Sequence, residues 1–152
     1  MVKFGSRKEA VLTPAGTEKY LFTWPVRVFY EDTDAGGVVY YANYLRFMER
    51  ARTEWLRKLG FEHASFEREH GALFIVRAVD VKYIRPACLD DELQVTAMPT
   101  GRSAYQIFLS QDVLRQNEKL TRANVSIACV DSASFKPKML PPALIAKLEE
   151  LE

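Results

Sequence analysis

The stretch Val28-Phe29-Tyr30-Glu31-Asp32-Thr33-Asp34-Ala35-Gly36-Gly37-Val38-Val39-Tyr40-Tyr41-Ala42-Asn43-Tyr44 decides how this chain folds. It leaves a run, Val26 to Tyr30, whose apolar positions alternate with polar or aromatic ones and predict a first strand. It then crosses an acidic turn carrying Gly36 and Gly37 and enters a helix. From Tyr44 to Leu59 apolar residues recur at Tyr44, Met48, Ala51, Trp55 and Leu59, which fall on one helical face, with Leu45 and Leu56 beside them. Asn43 is read as the N-cap and Gly60 as the C-cap. Arg50 with Glu54, and Glu54 with Lys58, support the outer face at i,i+4.

Downstream, Phe61 to Gly71 is polar and irregular, with a short helix expected around Ser65 to His70. Four strand candidates follow: Ala72 to Ile84, Glu92 to Met98, Tyr105 to Val113, and the alternation of Ala123, Val125, Ile127 and Cys129. Pro86 with Asp90-Asp91, Thr100-Gly101-Arg102-Ser103 and Gln116-Asn117-Glu118 separate them with turn chemistry. Pro141-Pro142 opens a closing helix over Ala143 to Leu151. The order is strand, long helix, then about four strands read as a meander. That is an α+β pattern, in which one curved antiparallel sheet covers a helix with a wide apolar face.

The 152 residues suit a single domain, and 48% hydrophobic and 27% charged residues are ordinary for a globular protein. A formal net charge of +1, from 21 basic and 20 acidic residues, gives no electrostatic case for nucleic acid. Met1 to Thr23 lacks the apolar core of a signal peptide and is read as a loosely ordered extension, with the domain starting near Trp24. No apolar run reaches the roughly 18 residues needed to span a bilayer, so the cytoplasm is the expected location. Cys88 and Cys129 are expected to be reduced core residues.

The acidic turn resembles a calcium loop only superficially. Its fifth place is Gly36 and its twelfth is Asn43, where an EF-hand needs a bidentate Glu. There is no G-x-S-x-G elbow, P-loop or dinucleotide fingerprint. His63 and His70 have no cysteine nearby to complete a zinc set. Neither a metal nor a cofactor is expected, which leaves carboxylates as the chemical groups. Asp, Thr and Gly also build ordinary turns. The aromatic and apolar surround of Phe29, Tyr30, Val38, Val39, Tyr40, Tyr41 and Tyr44 suits instead a pocket that binds an apolar acyl group beside a partly desolvated carboxylate.

From Val28 to Tyr44, and on through Phe47-Met48-Glu49-Arg50-Ala51-Arg52-Thr53-Glu54, the chain resembles the hot-dog-fold acyl-CoA thioesterases. The branch is the YbgC-type, Tol–Pal-associated group, relatives of 4-hydroxybenzoyl-CoA thioesterase. Element order agrees from about Trp24 to Asp131. The resemblance implies an antiparallel sheet of about five strands wrapped around a long central helix. It also implies homodimers whose sheets join, often paired into homotetramers, with active sites at the dimer interface. The activity implied is hydrolysis of acyl-CoA thioesters with short, medium or aromatic acyl groups. Two alternatives stand beside it: hydrolysis of acyl groups from acyl carrier protein, and a non-catalytic acyl-binding or envelope-associated role.

In that family the second aspartate of the D-x-D pattern is catalytic, which falls on Asp34. One carboxylate can activate water or attack the thioester directly. Asp32 is read as the structural partner that caps the turn. Tyr41 stands where many YbgC-type members carry His; it either orients substrate or water, or forms an aromatic wall. Gly37, Val39, Tyr40, Asn43 and Tyr44 are candidates to touch the acyl group. Glu49, on the flank of the helix, is either a further site residue or a structural partner of Arg46 and Arg52.

Overall fold

In the computed structural model of the chain the described residues are 11–12, 18–19 and 21–151. The expected extension over Met1 to Thr23 lies largely outside them, and its last two residues already belong to the sheet. Val11–Leu12 and Glu18–Lys19 pair as a separate two-stranded ribbon, and the first strand of the main sheet, β1, is Phe22–Arg27 rather than Val26 to Tyr30. Tyr30–Asp32 instead closes as a turn of 3₁₀ helix, because the Asp32 carboxylate accepts the Phe29 N–H at 2.8 Å.

Helix α1 spans Asn43–Lys58 and buries Tyr44, Phe47, Met48, Ala51, Trp55 and Leu56 on the face set by their spacing. Burying each large apolar side chain contributes roughly 1.5–3 kcal/mol. The helix ends on Gly60, at φ +97°, whose N–H donates to Arg57 O while that of Phe61 donates to Leu56 O, a Schellman closure. The expected cap at the other end is corrected: Ala42 holds the N-cap position without a side-chain bond. Asn43 lies inside the first turn, its amide turned to Asp32. On the outer face Glu54 pairs with Arg57 at 3.2 Å, one turn on.

Helix α2 (His63–His70) leads into β2 (Ala72–Tyr83), followed by β3 (Glu92–Arg102), β4 (Gln106–Arg115), β5 (Glu118–Asp131) and the closing helix α3 (Pro142–Glu149). The five strands form one antiparallel sheet in the order β1-β3-β4-β5-β2. Only β3, β4 and β5 form the meander. β2 does not pair with β3, as chain order suggested, but crosses to the far edge and pairs with β5 from Ala72↔Asp131 to Tyr83↔Thr121. The β4–β5 hairpin turns on Gln116 and Asn117, both at positive φ, as a two-residue hairpin loop demands.

α1 packs across β1, β3 and β4. Breaks in register at Val76/Ala78, Pro99/Gly101 and Val113/Leu114 let the strands bend around it, giving the hot-dog arrangement. One polar knot sits inside this layer. Gln111 of β4 is fully buried, donates to Met48 O at 3.1 Å and Thr96 O at 3.0 Å, and accepts from Arg52 Nη1 at 3.0 Å. The two cysteines are free; Cys129 is in the core, but Cys88 is exposed, contrary to the expectation for both.

Candidate active site

The two aspartates of the turn have opposite environments. Asp32 is buried, and its Oδ1 accepts from Asn43 Nδ2 at 2.6 Å while Oδ2 holds the Phe29 N–H. It therefore ties the end of the strand segment to the first turn of α1 with two charge-assisted bonds. Asp34 is exposed. Its Oδ1 accepts the Gly36 N–H at 2.8 Å, and among the described residues Oδ2 has no partner. The turn closes through Gly37 N–H to Asp34 O at 3.0 Å and Asp34 N–H to Val38 O at 2.9 Å, with Gly37 at φ +79°. Only glycine adopts that conformation without strain. The neighbouring glycine has a different reason: a Cβ at Gly36 would stand 3.2 Å from Asp34 Oδ1.

Beyond the turn the chain is stapled to the Pro86–Asp91 loop. Val39 N–H donates to Ala87 O at 2.9 Å, and Val38 bridges Cys88. The Tyr44 hydroxyl accepts the Ala87 N–H at 3.0 Å; burial pushes this phenol up, partly opposed by that bond. Tyr40 and Tyr41 are exposed with rings 4.8 Å apart. The Tyr41 hydroxyl raises the Tyr40 phenol above its ordinary range, and the Asp34 charge adds to this.

Tyr83, at the end of β2, was not a sequence candidate, yet it organises this surface. Its hydroxyl donates to Tyr41 O at 2.9 Å, and its ring lies edge-on to both Tyr41 and Tyr44. Its only sequence signal is its place at the end of a long strand. Together Val39, Tyr41, Tyr44, Tyr83, Ile84 and Pro86 wall an apolar cleft of about 240 Å³, with Arg85 at its margin. That is below the roughly 300 Å³ at which ligand pockets usually begin. Among the described residues the N–H groups of Tyr41 and Ala42, just ahead of α1, donate no hydrogen bond. They combine free donors with the positive end of the helix dipole.

The structure closes the Asp34 turn on Gly37 and places Tyr40 within reach of the Asp34 charge, while Val39, Tyr41 and Tyr44 wall the cleft, which Asp34 itself does not line. It does not leave Asn43 free, since that side chain is buried against Asp32. Glu49 is exposed on α1, lines none of this cleft, and forms no ion pair with Arg46 or Arg52 among the described residues. Arg52 turns inward to Gln111, where burial lowers its pKa and the Glu49 charge offsets part of that.

The model of the thioesterase-like superfamily matches residues 28–148. The acyl-CoA thioester hydrolase YbgC of Escherichia coli O6:H1 is 45% identical over 131 residues, covering 86% of this chain and 97% of that protein. The acyl-CoA thioesterase YbgC of Haemophilus influenzae is 42% identical, covering 86% and 96% respectively. In fold, the 1,4-dihydroxy-2-naphthoyl-CoA thioesterase of Synechocystis superposes with a TM-score of 0.79 at 22% identity, covering 86% of this chain and 97% of that one. No helix among the described residues is long and apolar enough to cross a membrane.

Proposed function

This chain belongs to the thioesterase-like superfamily and is an acyl-CoA thioester hydrolase, and on that premise we propose that the Asp34 carboxylate performs the hydrolysis. The observation that carries this reading is the contrast within the turn: Asp32 is consumed by structure, whereas Asp34 is held by one oxygen and offers the other. Through Oδ2 it takes a proton from the attacking water, or attacks the thioester carbon itself to give an anhydride that water then opens. Either way the C–S bond breaks and the coenzyme A thiol leaves. The unpaired N–H groups of Tyr41 and Ala42 supply donors for the oxyanion, aided by the helix dipole. Tyr41 acts through its backbone and its ring, since a phenol is a poor base near neutrality.

The cleft is small for an acyl-CoA site, which favours completion by a second copy. β2 is a sheet edge, and it exposes Ile75, Val76 and Val79 along a row of backbone groups that pair on one side only. Pairing of two such edges satisfies those groups and buries the apolar side chains. A charge at Val79 would block it; loss of the dimer in sedimentation of Val79→Lys, together with loss of turnover, is the expected result.

The test of the chemistry is thiol release from acyl-CoA esters varied in length and aromaticity, with Asp34→Asn alongside. Turnover falling about 100-fold or more in the variant supports the reading, and near-normal turnover removes Asp34 from the mechanism. After single-turnover reaction in ¹⁸O-water, label in Asp34 identifies an anhydride opened at its aspartyl carbon, and hydroxylamine trapping of acylated Asp34 detects the anhydride whichever carbonyl water attacks. Acyl carrier protein esters belong in the same panel: preference for them would make the carrier protein the natural donor.

A further inference from the structure

The Asp34 turn is fixed at both ends to one loop, and that loop is held from outside. At the upstream end Val28 N–H donates to Asp91 O and Asp90 N–H to Val28 O, both at 2.9 Å. At the downstream end Val39 N–H donates to Ala87 O and Val38 bridges Cys88. Residues 86–91 therefore form a strap across the base of the turn. Asp90 adopts φ +68° within it. The Asp91 carboxylate gathers the strap by accepting the Cys88 N–H through Oδ2 at 2.8 Å.

The same oxygen accepts from Arg115 Nη1 at 2.7 Å, and that nitrogen also lies 3.4 Å from Pro86 O. Arg115 ends β4, and its other branch donates to Glu118 Oε1 across the hairpin at 2.8 Å. Its partners, Glu118 first and then Asp91, hold the guanidinium firmly charged. The side chains of Arg115 and Asp91 are about three-quarters buried, unlike most ion pairs of this protein. One guanidinium nitrogen thus bonds a carboxylate at one end of the loop and reaches a carbonyl at the other, while the second branch, tied to Glu118, fixes the plane of the fork, an orientation that a freely rotating ammonium does not hold.

We propose that Arg115 is a positioning residue for hydrolysis: through Asp91 and Pro86 it sets the 86–91 strap, and through the strap it sets the Asp34 turn and Tyr44. The inference rests on the Asp34 reading, and it adds a residue far from the turn in sequence that makes no hydrogen bond to the Asp34 carboxylate.

The test compares Arg115→Met, Arg115→Lys and Asp91→Asn with the unaltered protein, using butyryl-CoA and benzoyl-CoA as probes. Two readouts are taken on each folded variant: the split between kcat and KM, and amide hydrogen exchange resolved at Val28, Val39 and Cys88. Arg115→Met is expected to lower kcat about tenfold or more with little change in KM, because displacement of a reacting group by about 1 Å costs up to about 100-fold. Exchange at Val28 and Val39 rises with it, and Arg115→Lys retains more of both than Met does. Arg102→Met, which removes the surface pair to Glu149, is the control expected to leave both unchanged. Wild-type kcat in a folded Arg115→Met overturns the proposal. So does a lost kcat with wild-type protection at Val28 and Val39. If Arg115→Met does not fold, Asp91→Asn, which keeps the side-chain shape, decides by the same two readouts. If Asp34→Asn keeps full turnover, the Asp34 reading falls by itself, and exchange at Val28 and Val39 still decides whether Arg115 sets the strap.

Discussion

Two aspartates two positions apart should respond to substitution in opposite ways. Asp32→Ala removes two bonds to a buried carboxylate, at 2.8 Å to Phe29 N–H and 2.6 Å to Asn43 Nδ2. Hydrogen bonds to charged groups contribute about 1.5–3 kcal/mol each, so the gross loss is about 3–6 kcal/mol. The Phe29 N–H lies in a part-exposed stretch and can recruit water, whereas the Asn43 amide is buried and cannot. The net cost is therefore set near the lower bound, about 3 kcal/mol. At about 2–4 °C per kcal/mol for a domain of this size, the melting temperature should fall by about 6–12 °C. Asp34→Asn keeps an oxygen that can accept the Gly36 N–H on an exposed turn, so its melting temperature should stay within about 2 °C. Thermal unfolding at neutral pH, run with thiol-release assays well below both transitions, separates the two roles. The reasoning fails if Asp34→Asn is the destabilised variant, or if Asp32→Ala melts with the wild type.

Gln111→Leu should lose about 3 kcal/mol or more in urea unfolding, because it strands the buried Arg52 guanidinium; adding Arg52→Met should recover most of that loss. Gly36→Ala should lower turnover severalfold with little change in KM, since its Cβ would press on Asp34 Oδ1, while Gly37→Ala should cost about 1 kcal/mol of stability through its positive φ alone. Burial raises the Cys129 thiol pKa, so at pH 8 it holds less thiolate than an ordinary cysteine; iodoacetamide should add once per native chain, at exposed Cys88, and twice only after unfolding, as read by intact mass.

The parts of this fold legible in the sequence are those written in local periodicity. The apolar spacing from Tyr44 to Leu59 placed α1 to within a residue at each end, and alternation placed β3, β4 and β5. Strand order was not legible for β2, because its exposed run pairs with the last strand and leaves no local trace. Asn43 misled for a physical reason: its residue type suits a cap, but a buried carboxylate eleven residues earlier claims its amide. The aromatic density after Asp34 marked two residues of the cleft wall, Tyr41 and Tyr44, although Asp34 itself does not line it. Its support carries no such mark: Tyr83 falls inside a strand candidate, Asp91 in a turn and Arg115 just past a strand candidate, and only tertiary contacts give them a part in it.

The long-range pairings that close the sheet also set the order in which this protein is built. The β3–β4 and β4–β5 ladders join neighbours in sequence, whereas β1 meets β3 from Phe22↔Ala97 to Arg27↔Glu92, across the whole of α1, α2 and β2. Closing so long a loop before its contacts repay the entropy slows that step relative to the hairpins. The Asp34 turn lies inside this loop, and both its anchors, at Val28 and Val39, belong to the late step. Recovery of turnover on refolding should therefore lag the far-ultraviolet signal of the hairpins and coincide with burial of Trp55 beneath the completed sheet. A chain emerging during synthesis holds its aspartate early but acquires its chemistry only when the strap has been made.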